Sequence, residues 1–269
     1  VLKVIPMNEE GVLDMAFLQE NLNEKTRLVS FNYISNALGI INPVKEMIAL
    51  IRKHSEALIF IDGAQAAPHL KINVQELDCD FFAFSGHKCY APTGVGILYG
   101  KEAILNTLAP FHGGGEMIAT CSFEKTTYAG LPFKFEAGTP NIAANIGIGY
   151  AIDFMESVGM ENIQKHENQL LNYAQEQLLT LDHIKIYGEK SPRAGVVSFN
   201  LLNEGIASDV GMILDKMGIA VRTGHHCTQP IMNFFNIAGT VRASFAVYNT
   251  MEEIDRFVEG VKKAQRLLG

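Results

Sequence analysis

Short continuous apolar runs alternate with stretches of helical period through the first half of the chain. TRLVSFN (26–32), ALIFID (57–62), DFFAFS (80–85) and VGILYG (95–100) read as strands, and the apolar runs imply cover on both faces. A short helix is expected over 14–22. After Pro43, a good first helical residue, Val44, Met47, Ile48 and Ile51 recur at helical spacing. This strand–helix–strand alternation predicts an α/β fold built on a mainly parallel sheet.

The second half reads differently. Helical spacing resumes at Asn141, breaks near Gly159 and continues to about Leu181. Strands are expected around 184–187 and at VVSFN (196–200), then a helix with Val210, Ile213, Leu214 and Met217 on one face. VRASFAV (241–247) alternates as a strand with one exposed face should, with Arg242 on the exposed side. The last helix opens on a capping box, Thr250 with Glu253, and buries Ile254, Phe257, Val258 and Val261. The expected organisation is part of a large domain over 1–159 and a smaller α+β domain over 160–269, without repeats or a low-complexity linker.

Composition narrows the function classes. Hydrophobic residues are 48% and charged residues 19%, an ordinary globular balance. A net charge of -7 argues against a general nucleic-acid binder, which needs a basic face to meet phosphates. No apolar run approaches the ~20 residues that span a bilayer. VLKVIPMNEE lacks the pattern of a signal peptide, so no membrane partner and a cytoplasmic setting are expected. The chain opens on Val1 rather than methionine, which leads to the expectation of a missing upstream segment. Cys79, Cys89, Cys121 and Cys227 form no CxxC pair and read as reduced thiols.

Two stretches carry chemistry. Asp62 ends one apolar strand and is followed by Gly63-Ala64-Gln65-Ala66, while Ser85, His87 and Lys88 end another. Ligands of open α/β sheets sit at such carboxyl ends, so these side chains can converge on one crevice. An acid, a Ser/His pair and a lysine suit pyridoxal phosphate, with the lysine as Schiff base and the acid on the pyridine nitrogen. The bland alternative is a helix-capping Asp62 and a solvated Lys88, which composition alone favours; the order of the residues favours the cofactor. In RTGHHC (222–227), Arg222, His225 and His226 surround Cys227, a pattern that lowers a thiol pKa from ~8.5 and makes a nucleophile. The rival is a zinc site on His225, His226 and Cys227, but three adjacent residues rarely reach one ion and no fourth ligand is evident. HGGGE (112–116) lacks the lysine and hydroxyl of a P-loop and reads as a loop or turn.

SNALG, DGAQA, DCDFFAFSGHK, PTGVGILYG, FEAGTPN, VRTGHHC and VRASFAVYNT resemble, in order and from about Asn32 to Gly269, the motifs of SUF-type (group II) cysteine desulfurases and selenocysteine lyases. These belong to the class V branch of the PLP-dependent transferase fold (aspartate-aminotransferase-like, fold type I). The resemblance implies that Lys88 is the Schiff-base lysine and proton shuttle and that Asp62 pairs with the pyridine nitrogen. Gln65 would bond the phenolic oxygen, and Ser85 and His87 the phosphate. Thr139 would reach the partner subunit's phosphate in a homodimer. Asn36 and Arg242, with Arg222 nearby, would hold the substrate carboxylate. Cys227 would carry the sulfur of L-cysteine as a persulfide, for a sulfur-acceptor protein of iron–sulfur cluster assembly. The resemblance also implies a long preceding stretch that supplies a ring-stacking histidine and a hydroxyl near the phosphate. The N-terminal part of the fold is therefore expected to be missing, with the chain's own activity in question. Selenocysteine lyase, transaminase and a cofactor-free docking module are the competing readings; a transaminase would leave Cys227 without a role.

Overall fold

In the computed structural model, residues 1–201 and 206–269 are described. Helix α1 (Met15–Asn21), capped by the Asp14 side chain, precedes β1 (Leu28–Asn32). Helix α2 (Val44–His54) then crosses to β2 (Leu58–Asp62), and α3 (Val74–Leu77) leads to β3 (Phe81–Ser85). The three strands are parallel in sequence order, and β4 (Gly96–Gly100) adds to β3 antiparallel. The spacing in α2 works as expected: Val44, Met47, Ile48 and Ile51 bury against Val29, Phe31, Ile59, Ile61 and Phe82. Asn32 pairs with Asp62 and Asp62 with Ala83, so β1 and β2 end level and β3 runs two residues further, to Ser85.

One strand departs from expectation. VGILYG does form β4, yet its Leu98 is 57% exposed and Ile97 also faces outward. An apolar run shows that a strand can be covered, not that a covering element is present.

After β4 come α4 (Glu102–Thr107), the hairpin of β5 (Ile118–Cys121) and β6 (Thr126–Tyr128), and two long helices, α5 (Ile142–Val158) and α6 (Met160–Leu178). The helices meet at Gly159, whose φ of +90° lies in the region glycine alone enters freely. Strands β7 (Ile184–Ile186) and β8 (Val196–Leu201), helix α7 (Ala207–Lys216), β9 (Arg222–Gly224), α8 (Gln229–Phe235), β10 (Thr240–Ser244) and α9 (Met251–Leu268) complete the chain. The second sheet is wholly antiparallel, in the order β7-β8-β10-β9. Leu170, Leu171 and Ala174 of α6, Val210 and Leu214 of α7, and Ile254, Phe257, Val258 and Val261 of α9 share its core.

Strand β10 is shorter than 241–247 and lies inside the sheet, between β8 and β9. Arg242 is half-buried rather than on an open face, because the segment after β1 packs against it through Asn36. The segment after β1 ties the two halves together: Ile40 bridges to Arg193, and Ala37, Leu38 and Ile40 pack with Tyr187, Met232 and Ile237. The Ser198 hydroxyl donates to the Ala37 carbonyl.

Candidate active site

The carboxyl ends of the parallel strands β2 and β3 place Asp62 and Ser85 on one edge of the first sheet. Asp62 is exposed, and one of its oxygens accepts from Ala64 N at 2.9 Å. Gly63 makes the turn possible, because a Cβ there would lie 2.0 Å from the Phe82 ring. Its N–H donates to the Ala83 carbonyl at 2.8 Å and seats the turn on the end of β3. Gln65 follows, half-buried.

Beyond Ser85 the chain makes a 3₁₀ turn, Gly86–Lys88, with buried Gly86 and Cys89 pinning it from below. Gly86 N donates to Val95 O at 2.9 Å, and a Cβ on Gly86 would strike the Val95 side chain. His87 is exposed and Lys88 half-buried; among the described residues Lys88 has neither a hydrogen bond nor an ion pair. The next residue but one, Tyr90, has a φ of +61° and stacks edge-on against Phe154 and Tyr248. Burial pushes its phenol up to about 12, which keeps it neutral. Sequence reasoning gave Tyr90 no role, and only its position beside Lys88 singled it out.

A second group forms where β9 and β10 meet the segment after β1. Arg222 and Arg242 are paired directly across the two strands. The Arg242 guanidinium donates to the Asn36 carbonyl at 2.7 Å, while its Nε is buried without a partner. Burial and the Arg222 charge hold Arg242 below its usual pKa. No carboxylate of the described residues pairs with either arginine. Two cations facing each other repel, and an anion between them relieves that. The Asn36 side-chain amide donates to the His226 carbonyl at 2.6 Å, so Asn36 joins both arms of this group.

Arg222 also donates to Cys227 Sγ at 3.2 Å, and the thiol is exposed. His226 does not attend it as the basic pattern implied. Its ring is 1% exposed, and its Nε2 lies 2.8 Å from Thr240 Oγ1 and 3.2 Å from Thr240 O. Burial, with Arg242 and Arg222 adding to it, lowers the His226 pKa to about 4. The neutral ring gives the thiol no charge. Thr240 was not anticipated, since a lone threonine before a strand carries no signal.

The other thiols are less suited to the role. Burial raises the pKa of Cys79, and that of Cys89 to about 11 despite Lys88 beside it. Cys121 is exposed in β5 with Thr126 Oγ1 at 3.6 Å. Thr139 is exposed in a loop held against the glycine-rich segment, where Gly138 N donates to Gly115 O at 3.0 Å. HGGGE is thus the seat of the FEAGTPN loop.

A family model described as aminotransferase class-V matches residues 1–257. A curated cysteine desulfurase of Escherichia coli O7:K1 is 49% identical over all 269 residues, and the chain spans 66% of that relative's length. The apo structure of the cysteine desulfurase from Thermococcus onnurineus NA1 is 38% identical with a TM-score of 0.93, over 98% of this chain and 66% of that one. The Escherichia coli cysteine desulfurase CsdA, solved in an S-sulfonic acid form, is 33% identical with a TM-score of 0.92, over 98% of this chain and 65% of that one.

Proposed function

Because the chain belongs to the aminotransferase class-V family, we propose that it carries the catalytic lysine and the sulfur-accepting cysteine of a pyridoxal-phosphate-dependent cysteine desulfurase. The observation that carries this reading is the pair of unsatisfied groups: an open Asp62 carboxylate at the end of β2 with an unpaired Lys88 in the turn after β3, and a two-arginine clamp beside an exposed thiol.

The residues fit the cofactor. Asp62 would keep an oxygen for the pyridine N–H, Gln65 would offer a donor to the phenolic oxygen, and Ser85 and His87 would hold the phosphate. When bound, the cofactor withdraws electrons from the substrate's α-carbon and weakens its bonds. The protein supplies the rest. Arg222 and Arg242, positioned with Asn36, orient L-cysteine by its carboxylate. Lys88 moves the proton at the α-carbon. Cys227 Sγ attacks the substrate sulfur, forming an S–S bond as the substrate's C–S bond breaks, and L-alanine leaves. The persulfide on an exposed residue is open to an acceptor protein of the SUF type.

Assembly as a homodimer belongs to the same reading. Ile142, Ile146, Tyr150 and Phe154 form an exposed apolar stripe along α5, opposite its buried face of Ala144, Ile148, Ala151 and Met155. A helix apolar on both faces is one whose second face is also covered, and this reading gives that cover to a second subunit. The stripe begins three residues after Thr139, which the dimer would bring to the other subunit's phosphate.

Two variants of the full-length protein test the proposal. Cys227→Ser keeps the visible absorbance of the lysine-bound cofactor and loses sulfide release from L-cysteine. Lys88→Ala loses both that absorbance and the borohydride-trapped adduct. Sulfide release by Cys227→Ser at the parent's rate, or a trapped adduct in Lys88→Ala, overturns the assignment.

A further inference from the structure

We propose that His226 is a positioning residue, a buried latch that holds the backbone before Cys227 so that the thiol is presented outward. The inference rests on Cys227 being the sulfur acceptor. His226 and Cys227 have φ of +53° and +62°, two consecutive non-glycine residues in the left-handed region. Gly224 before them has a φ of +105°. Non-glycine residues held in that region are strained and persist only where the surroundings over-determine them. Without a tie, this turn would relax and the thiol would swing away from Arg222.

Three contacts supply the tie, all through His226. Its Nε2 meets the hydroxyl and the carbonyl of Thr240, at the start of β10. A carbonyl only accepts, so the tautomer serving both carries its proton on Nε2, and Nδ1 is left buried without a partner. The His226 carbonyl accepts from the Asn36 side chain, from the other half of the chain. Gly239 allows the close approach, since a Cβ there would lie 2.8 Å from Gly224 Cα. The turn is thus fastened to the strand that carries Arg242 and to the segment that positions it. The charged and titratable groups around the ring are Arg242, Arg222 and His225. With its pKa near 4 the ring is neutral at pH 7, a donor of one hydrogen bond rather than a carrier of protons.

The test uses the full-length holoenzyme in a Cys121→Ser background, which removes the other exposed thiol. The readouts are the iodoacetamide alkylation rate of Cys227, kcat and KM for L-cysteine, and the cofactor's visible absorbance. His226→Ala is expected to lower the alkylation rate and kcat by about tenfold to a hundredfold, the scale of a misplaced reacting group, with KM and absorbance held. His226→Gln, whose amide N–H can reach Thr240, recovers most of both. Thr240→Val, which removes the hydroxyl but leaves the carbonyl, shifts both in the same direction by less. An Ala variant with parental kcat and alkylation rate overturns the latch, as does a Gln variant no better than Ala. Sulfide release by Cys227→Ser would instead sink the desulfurase reading, and the alkylation rates would still decide the latch.

Discussion

At Cys227 a single side chain depends on its neighbours in a way that pH exposes. The His226 pKa falls from 6.5 to about 4 on folding because the ring is buried. Between those values the unfolded chain holds a proton that the folded chain does not, so stability rises with pH there and is lost as pH falls from 6.5 toward 4. The full swing across that window is on the order of 3 kcal/mol, at about 1.4 kcal/mol per pKa unit. Urea midpoints of the parent at pH 7 and pH 4.5 should therefore differ by more than those of His226→Gln, which has no titrating ring. Equal differences in the two proteins would show that the ring is not held neutral. The same burial that makes the ring a poor base makes it a dependable tether.

Among the elements, α9 shows how local chemistry and packing reinforce each other. Thr250 accepts from Glu253 N, and the Glu253 side chain accepts from Thr250 N at 3.1 Å, a reciprocal box that satisfies two otherwise open donors. Asn249 donates to the Glu253 side chain at 2.9 Å, and these contacts hold the Glu253 carboxyl below its usual pKa. The helix then lays Ile254, Phe257, Val258 and Val261 on the second sheet. Thr250→Ala should cost about 1 kcal/mol, read as a lowered urea midpoint, while Thr250→Ser restores the midpoint to near the parent's. A Ser variant as unstable as Ala would mean that the threonine methyl, not the cap, is the stabilising group. The Asp14 and Asn141 caps of α1 and α5 follow the same logic.

For the whole molecule, the question is which subunit each site draws upon. If Thr139 completes the partner's site in a homodimer, inactive Lys88→Ala protein and inactive Thr139→Ala protein should complement each other. A mixed dimer then holds one site with an intact Lys88 from one subunit and an intact Thr139 from the other. Sulfide release should appear after the two proteins are unfolded, mixed and refolded together, at a level set by the mixed dimers. Were Thr139 to act within its own subunit, every site would lack one group and no activity would return. The exposed stripe on α5 predicts which face is involved: Ile146→Glu should yield monomers by light scattering.

Much of this protein could be read along the chain, because periodicity and capping are local. The spacing of Val44, Met47, Ile48 and Ile51, the Thr250–Glu253 box, the break at Gly159 and the strand ends at Asp62 and Ser85 each depend on neighbours a few residues away. The motif order from SNALG to VRASFAVYNT carried the family. What lies between distant segments could not be read so. Arg242 proved half-buried because the segment that carries Asn36, distant in sequence, packs against it, and alternation in one strand is blind to such neighbours. VGILYG turned an exposed apolar face outward because cover is a property of the assembled layers. His226 was misjudged for the same reason. Adjacency to Cys227 is sequence, but burial, the hydrogen bond to Thr240 and the neutral ring arise only when β9 and β10 pair, because a charge's worth is set by its surroundings in space.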